Sequence, residues 1–216
     1  MFPGDRATQQ LQPRRAAPVV PADLSRMMPG KGHHGSMLTD PDALLSGFRE
    51  AADKAGIDGW PCPVRIETLP APHQRPSLPR DEAAVYAFTL SAAAGRFAPC
   101  GPGTVLTVGR ARANNEQMFR DLHYDWTSAP STLAGSLLAH PILWPWLGIT
   151  HLDEDTVGEW MLASLDRIHF FIRAGHPQVR DALAVYVGGT AGCVFYRASA
   201  YSAVRRASLV VPGIWA

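Results

Sequence analysis

The hydrophobic pattern predicts a short helical segment ahead of a mixed α/β domain. Asp40 followed by Pro41 is typical of a helix N-terminus, and apolar residues then recur at helical spacing until Gly56, where we expect the helix to end. Prolines are frequent over residues 60–79, which excludes a helix there. We therefore predict an extended connector with at most one edge strand, near Val64–Leu69.

The main domain opens with two short runs that are rich in β-branched and aromatic residues, at 84–90 and 104–108, and a third such run lies at 168–172. Runs of this kind predict strands, and the brief connection between the first two favours an antiparallel hairpin, with the third strand in the same sheet. Capping residues and apolar spacing predict helices that begin near Asn115, Ser128, Asp155 and Pro177.

The predicted order of elements is β-β-α-α-α-β-α, which indicates an α/β (α+β) domain with a three-stranded, mostly antiparallel sheet flanked by helices. Residues 140–147 contain two prolines and two tryptophans, so we expect a packed loop there rather than a regular element. We divide the chain into a disordered leader (1–36), the helical prefix and connector (37–80), the α/β domain (81–187) and a divergent C-terminal extension (188–216).

Composition argues against a membrane protein, a secreted protein and a zinc-binding or disulfide-stabilised protein. No apolar run approaches the roughly 20 residues that span a bilayer, and no charged start followed by an apolar stretch marks a secretion signal, so we expect no membrane insertion. The three cysteines are far apart, which indicates neither a disulfide framework nor a zinc site and favours the cytoplasm. Residues 81–173 carry six basic and ten acidic side chains. Binding to nucleic acid would therefore need specific arginines to converge.

Three side chains of the main domain have the chemistry to act on a phosphodiester. Tyr86 lies in the first predicted strand, while Arg120 and His123 are one turn apart on the following helix, on the side opposite its apolar residues. A guanidinium neutralises charge on a phosphoryl group, a histidine adds a donor or base, and a phenol orients or deprotonates water. Each residue taken alone is also compatible with ordinary packing or a solvated surface.

The motifs Ala84-Val85-Tyr86 and Leu106-Thr107-Val108-Gly109-Arg110, about twenty residues apart, precede Arg120 in the next helix. Together they resemble the core of the GIY-YIG nuclease family, over residues 81–187. The resemblance implies an endonuclease that hydrolyses DNA. Tyr86 would activate or position the attacking water, and Arg120 would clamp the scissile phosphate.

The same resemblance implies supporting roles for further residues. His123 would assist Arg120, and Arg110 would add electrostatic attraction for the nucleic acid. Arg112 and Tyr124 are further candidate nucleic-acid contacts. DNA is thus the expected partner.

The family also uses one divalent metal, usually magnesium, which a glutamate on the last helix holds. In this chain Ala184 stands at the expected position of that glutamate, and Thr107 replaces a tyrosine of the second motif. Asp181, one turn earlier, is the nearest carboxylate. Magnesium is therefore expected from the resemblance alone, its ligand is not identified, and we expect nuclease activity to be weakened or lost.

Two other functions fit the same residues. A non-catalytic nucleic-acid-binding module would keep the arginines as phosphate contacts. A protein-interaction module would use Trp144, Trp146 and the prolines around them as a partner surface. The sequence predicts no oligomeric state.

Overall fold

The computed structural model describes residues 38–127 and 132–195, and a four-stranded antiparallel sheet forms its centre. The strands, in the spatial order β1-β4-β2-β3, are β1 (Val64–Leu69), β2 (Glu82–Leu90), β3 (Val105–Ala111) and β4 (Leu165–Arg173). The predicted leader, the predicted helix start at Ser128 and the part of the C-terminal extension after residue 195 lie outside the described residues.

Helices cover both faces of this sheet. One face packs against α1 (Pro41–Ala55) and α6 (Pro177–Ala191). The other face packs against a set of shorter elements. These are α2 (Ala92–Gly95), α3 (Glu116–Asp121), α4 (Leu133–Ala139), a 3₁₀ helix (Pro141–Leu147) and α5 (Val157–Ser164). Within the described ranges, no helix is long and apolar enough to cross a bilayer.

The two central strands are buried on both faces, because helices cover the sheet on each side. Successive side chains of a strand point to opposite faces, so the register decides which residues meet. Tyr86 of β2 lies opposite His169 of β4 and Gly109 of β3, and Phe88 lies opposite Arg167. These side chains face α3 to α5, and we call this side the α3 face.

The side chains of alternate residues point the other way. Val85 of β2 packs with α1 and α6, and Arg110 of β3 is its cross-strand neighbour. We call this side the α6 face. The sheet therefore divides the predicted site residues between two environments.

The predicted α/β class and the antiparallel pairing of the three core strands are confirmed. The sheet has a fourth strand, because the proline-flanked segment Val64–Leu69 pairs with β4 at the edge of the sheet. The first helix is also as predicted. The Asp40 carboxylate accepts the backbone N–H of Ala43 at 2.8 Å, and Gly56 ends the helix with a φ of 61°.

The prediction that His123 lies on the exposed side of a helix with Arg120 is wrong. Helix α3 ends at Asp121, so His123 and Tyr124 lie in the following turn and point into the core. The apolar residues Met118 and Trp126 are instead 40% and 38% exposed. Helical spacing assigns faces only as far as the helix continues, and this helix is six residues long.

Other helix boundaries also differ from the sequence prediction. Residues 141–147 form a 3₁₀ helix rather than a loop, with Pro141 in its first turn, where a missing N–H costs no hydrogen bond. Helix α5 begins after Thr156 rather than at Asp155. Helix α6 begins at Pro177 as expected but continues to Ala191, through the predicted start of the C-terminal extension.

Candidate functional site

The Tyr86 ring lies across strand β3 at the point where that strand has a glycine. An added Cβ at Gly109 would overlap the Cε2 and Cζ atoms of the tyrosine ring. Only a residue without a side chain leaves room for the ring here, so Gly109 fixes where the phenol can sit. The sequence motif contained this glycine, but its packing role became visible only from the register.

Tyr86 and His123 form a buried hydrogen bond. The Nε2 atom of His123 lies 3.0 Å from the Tyr86 hydroxyl, and its Nδ1 atom accepts the backbone N–H of Leu133 at 3.2 Å. In a neutral imidazole an accepting Nδ1 leaves the proton on Nε2, so His123 donates to Tyr86. The side chains of Tyr86 and His123 are 1% and 9% exposed.

Burial raises the pKa of Tyr86 to about 12, and the positive charge of Arg167 opposes this rise. The phenol is therefore protonated at neutral pH. Its hydroxyl can orient a neighbouring group by hydrogen bonding. The phenol is poorly suited to act as a general base, because the phenolate form is scarce at neutral pH. The structure thus brings together two of the three predicted catalytic residues, in the interior of the domain.

Arg167 of β4 lies beneath this pair, enclosed by four aromatic rings. Its Cζ atom is between 4.4 and 5.8 Å from the ring centroids of Phe119, Tyr86, Phe88 and Tyr124. Its Nη2 atom donates to the carbonyl oxygen of Phe119 at 2.6 Å. The guanidinium therefore ties the central sheet to α3, the helix that carries Arg120.

The buried guanidinium of Arg167 has few hydrogen-bond partners and no acidic partner among the described residues. Its side chain is fully buried, and its Nε and Nη1 atoms have no hydrogen-bond partner in the described part of the chain. Cation–π contacts and one carbonyl therefore stabilise the guanidinium there. Its neighbour on the same face, His169, is also fully buried, and burial lowers the pKa of His169 to about 2, with the charge of Arg167 adding to the effect.

Sequence reasoning gave no role to Arg167 or His169. A signal was present, because the two residues are two positions apart in a largely apolar strand and must therefore share one face. Tyr124, a predicted nucleic-acid contact, packs on the same guanidinium and is buried. Burial raises its pKa as well, and Arg167 opposes that rise.

Arg120 is on the surface of α3. Its side chain is half exposed, and its Nε and Nη2 atoms both lie 3.2 Å from the Asp121 carboxylate. The same carboxylate accepts a hydrogen bond from Arg75 at 3.0 Å. Arg120 is thus a solvent-facing cation paired with Asp121, whereas Tyr86 and His123 are buried in the core. Helix α3 itself packs against the edge strand β3.

Arg110 belongs to the same edge strand, β3, and its side chain lies on the α6 face. Its Nη1 atom is 3.1 Å from an Asp181 oxygen, and Arg180 contacts that oxygen as well. Arg112, just beyond the end of β3, is exposed. The predicted site residues therefore flank β3 on two sides, and the sheet separates Tyr86 and His123 from Arg110.

The residues present do not fit the magnesium site that the resemblance implies. Ala184 offers no ligand atom and packs at the margin of the core on the α6 face. Asp181 offers a carboxylate, but two guanidinium groups already contact it. Magnesium prefers several oxygen ligands in octahedral geometry. No group of three or more His, Cys, Asp or Glu side chains suited to a metal occurs among the described residues.

A cleft of about 460 Å³ lies beside the start of α3. It is lined by Leu78, Pro79, Arg80, Asn114 and Glu116. The predicted catalytic residues do not line this cleft, so it is separate from the Tyr86–His123 pair.

Comparison with protein-family models, curated proteins and solved structures gave no match to this chain. The GIY-YIG resemblance therefore depends on the short motifs and their order along the chain, and it stays a prediction.

Proposed function

We propose that this domain binds the phosphate backbone of DNA along edge strand β3, with a GIY-YIG-like cleavage activity that is weakened or lost. The observation that carries the proposal is the arrangement of exposed arginines around that strand. Arg110 and Arg112 lie at its end, and Arg120 projects from α3, which packs against it. Guanidinium groups are well suited to phosphate oxygens because they donate two parallel hydrogen bonds.

The edge position supports this proposal. Among the strands of the described sheet β3 pairs with β2 alone, and the backbone N–H groups of Val194 and Phe195 donate to the carbonyl oxygens of its first two residues. The other end of this edge, which carries Arg110, has no neighbouring strand in the described sheet. A nucleic-acid backbone that follows this edge would meet arginines from both faces of the sheet. Such contacts position a duplex without reading its sequence.

The weakened cleavage follows from the chemistry of three positions. Ala184 supplies no carboxylate for a divalent metal, and the Asp181 carboxylate is engaged by arginines. The buried Tyr86 phenol has a raised pKa, so it is better suited to orient a water molecule than to deprotonate one. Losing one major electrostatic contact in an active site typically costs about 10²–10³ in rate.

Binding is tested with a short fluorescent duplex, titrated at several salt concentrations. We expect Arg110→Ala, Arg112→Ala and Arg120→Ala each to weaken binding and to reduce the slope of log K against log salt by about 1. Arg49→Ala on α1, also an exposed arginine, is the matched control and should change neither. An unchanged affinity in all three variants, or an equal loss in the control, would contradict the proposal.

Cleavage is tested by nicking of supercoiled plasmid with magnesium. We expect little nicking by the natural chain and more by Ala184→Glu, and we expect Tyr86→Phe in that background to reduce it. If Asp181 supplies the carboxylate instead, the natural chain cleaves and Asp181→Ala abolishes cleavage. Robust cleavage that survives both Asp181→Ala and a chelator would show that the argument from the metal site is wrong.

A protein-interaction function is the second candidate. Three large apolar side chains are exposed near one another in the fold: Phe97, Ile142 and Trp146. The backbone N–H and the thiol of Cys100 both contact the Trp146 carbonyl, which joins the two segments. If this surface is the functional one, Trp146→Ser abolishes partner capture, and the arginine substitutions leave it unchanged.

A further inference from the structure

One carboxylate oxygen on the α6 face is contacted by the guanidinium groups of two arginines. The Oδ1 atom of Asp181 lies 3.1 Å from Nη1 of Arg110, 2.8 Å from Nε of Arg180 and 2.6 Å from Nη2 of Arg180. Arg110 comes from β3 and Arg180 from α6, two elements that pack against each other. The carboxylate therefore joins two cations that the fold brings together.

The three side chains differ in their access to solvent. The side chains of Arg110 and Asp181 are each 40% exposed, whereas that of Arg180 is 9% exposed. Arg180 thus has a fixed guanidinium whose one described acidic partner is a half-exposed carboxylate. A group that replaced Asp181 from solvent would meet an arginine already held in place.

The charges in this cluster do not balance. Two guanidinium groups share one carboxylate, which leaves a local charge of +1. A DNA phosphodiester carries one negative charge, shared by two non-bridging oxygens, and can accept hydrogen bonds from both arginines at separate atoms. It therefore offers each guanidinium an oxygen of its own, whereas both guanidinium groups contact the same carboxylate oxygen in the free protein.

We propose that Arg110 and Arg180 form a phosphate subsite, which Asp181 closes in the free protein and which a DNA phosphate opens by displacing the carboxylate. The inference rests on the proposed DNA-binding function and deepens it, because it adds Arg180 as a phosphate ligand and makes Asp181 an internal competitor. The Arg110–Asp181 pair is half exposed, and such pairs contribute only about 0.2–1 kcal/mol, so this part of the closure is readily reversible.

The test is the effect of removing the competing charge. We expect Asp181→Asn to tighten binding of the short duplex by about three- to tenfold, because the Asp181 charge no longer competes with phosphate for the two arginines. Asp58→Asn removes the same charge from an exposed turn and is the matched control. An equal gain in the control would attribute the effect to net charge and overturn the inference.

Arg180 is tested in the background of the tighter variant. Adding Arg180→Gln to Asp181→Asn should remove the gain, with thermal unfolding measured to show that the double variant is folded. A double variant that is folded and keeps the gain would overturn the role of Arg180. If it does not fold, Arg180→Lys replaces it, and there the loss of the two-pronged contact should still reduce the gain.

Inorganic phosphate separates this inference from the proposed function. We expect phosphate to shift the Arg180 Nε–Hε resonance in Asp181→Asn at lower concentration than in the natural chain. If phosphate does so and no variant binds DNA, the subsite stands and the DNA-binding function fails. If the natural chain binds DNA through Arg112 and Arg120, and Asp181→Asn changes neither phosphate nor DNA binding, the function stands and the subsite is wrong.

Discussion

The two faces of the sheet hold arginines in opposite environments. On the α3 face Arg167 is sealed among aromatic rings and donates to one backbone carbonyl, with no acidic partner in the described chain. On the α6 face Arg110 and Arg180 share a half-exposed carboxylate at the edge of the sheet. A cation in the interior interacts strongly with its surroundings because the dielectric constant is low, whereas a pair at the surface is screened by water.

This comparison teaches that residue type alone does not identify a binding residue. Arg167 is inaccessible to any ligand in this structure and acts on the fold, through Tyr86 and α3. The Arg110 side chain is 40% exposed and can be reached by a ligand, and we expect its ion pair to contribute little to stability. The expected effects of the following substitutions on stability test this difference between the two faces.

The largest effect is expected for Arg167→Ala. The substitution removes the side chain that four aromatic rings enclose and leaves a cavity, so the free energy of unfolding should fall by about 3 kcal/mol or more. Arg167→Met fills most of the space without a buried charge and should cost much less. Urea unfolding measures both. An equal loss in the two variants would show that the charge, and not the packing, matters at this position.

Gly109→Ala should be the next most damaging change. The new Cβ would overlap the Tyr86 ring, and such overpacking lowers the free energy of unfolding by about 1–3 kcal/mol. Gly189→Ala is the control, because a Cβ there meets nothing within 4 Å and the helix gains an alanine. Combining Gly109→Ala with Tyr86→Ala removes the overlap, so the double variant should lose less than the sum of the two. Simple additivity would refute the contact.

Acid should destabilise the α3 face through His169. Its pKa is about 2 in the folded protein and about 6.5 when unfolded, so the unfolded chain alone takes up a proton as the pH falls below about 6.5. The free energy of unfolding should therefore fall by about 1 kcal/mol between about pH 6.5 and about pH 5.5. His169→Leu should flatten this dependence in pH-dependent urea titrations. A slope that persists unchanged in the variant would assign it to other groups.

The smallest effect on stability is expected on the α6 face. Arg110→Ala breaks a half-exposed ion pair, and such pairs contribute about 0–1 kcal/mol. Thermal unfolding should therefore barely change, while the affinity for the short duplex falls. A loss of stability comparable to that of Arg167→Ala would erase the distinction between the two faces.

Elements whose signals lie within a few residues could be predicted from the sequence. Asp40 and Gly56 mark the ends of α1, and apolar β-rich runs mark the strands, because capping and side-chain alternation act over a few residues. The edge strand Val64–Leu69 could also be read between its prolines. These signals were sufficient for the α/β class and the antiparallel pairing.

The contacts between side chains that are distant in sequence became visible only in the folded domain. His123 points inward because α3 ends early, and Tyr86 reaches it across Gly109 of another strand. Arg110 contacts Asp181, which lies on a helix much later in the sequence. Such contacts depend on strand register and on how helices pack over the sheet, and both are set by the burial of apolar surface over the whole domain rather than by any short segment of sequence.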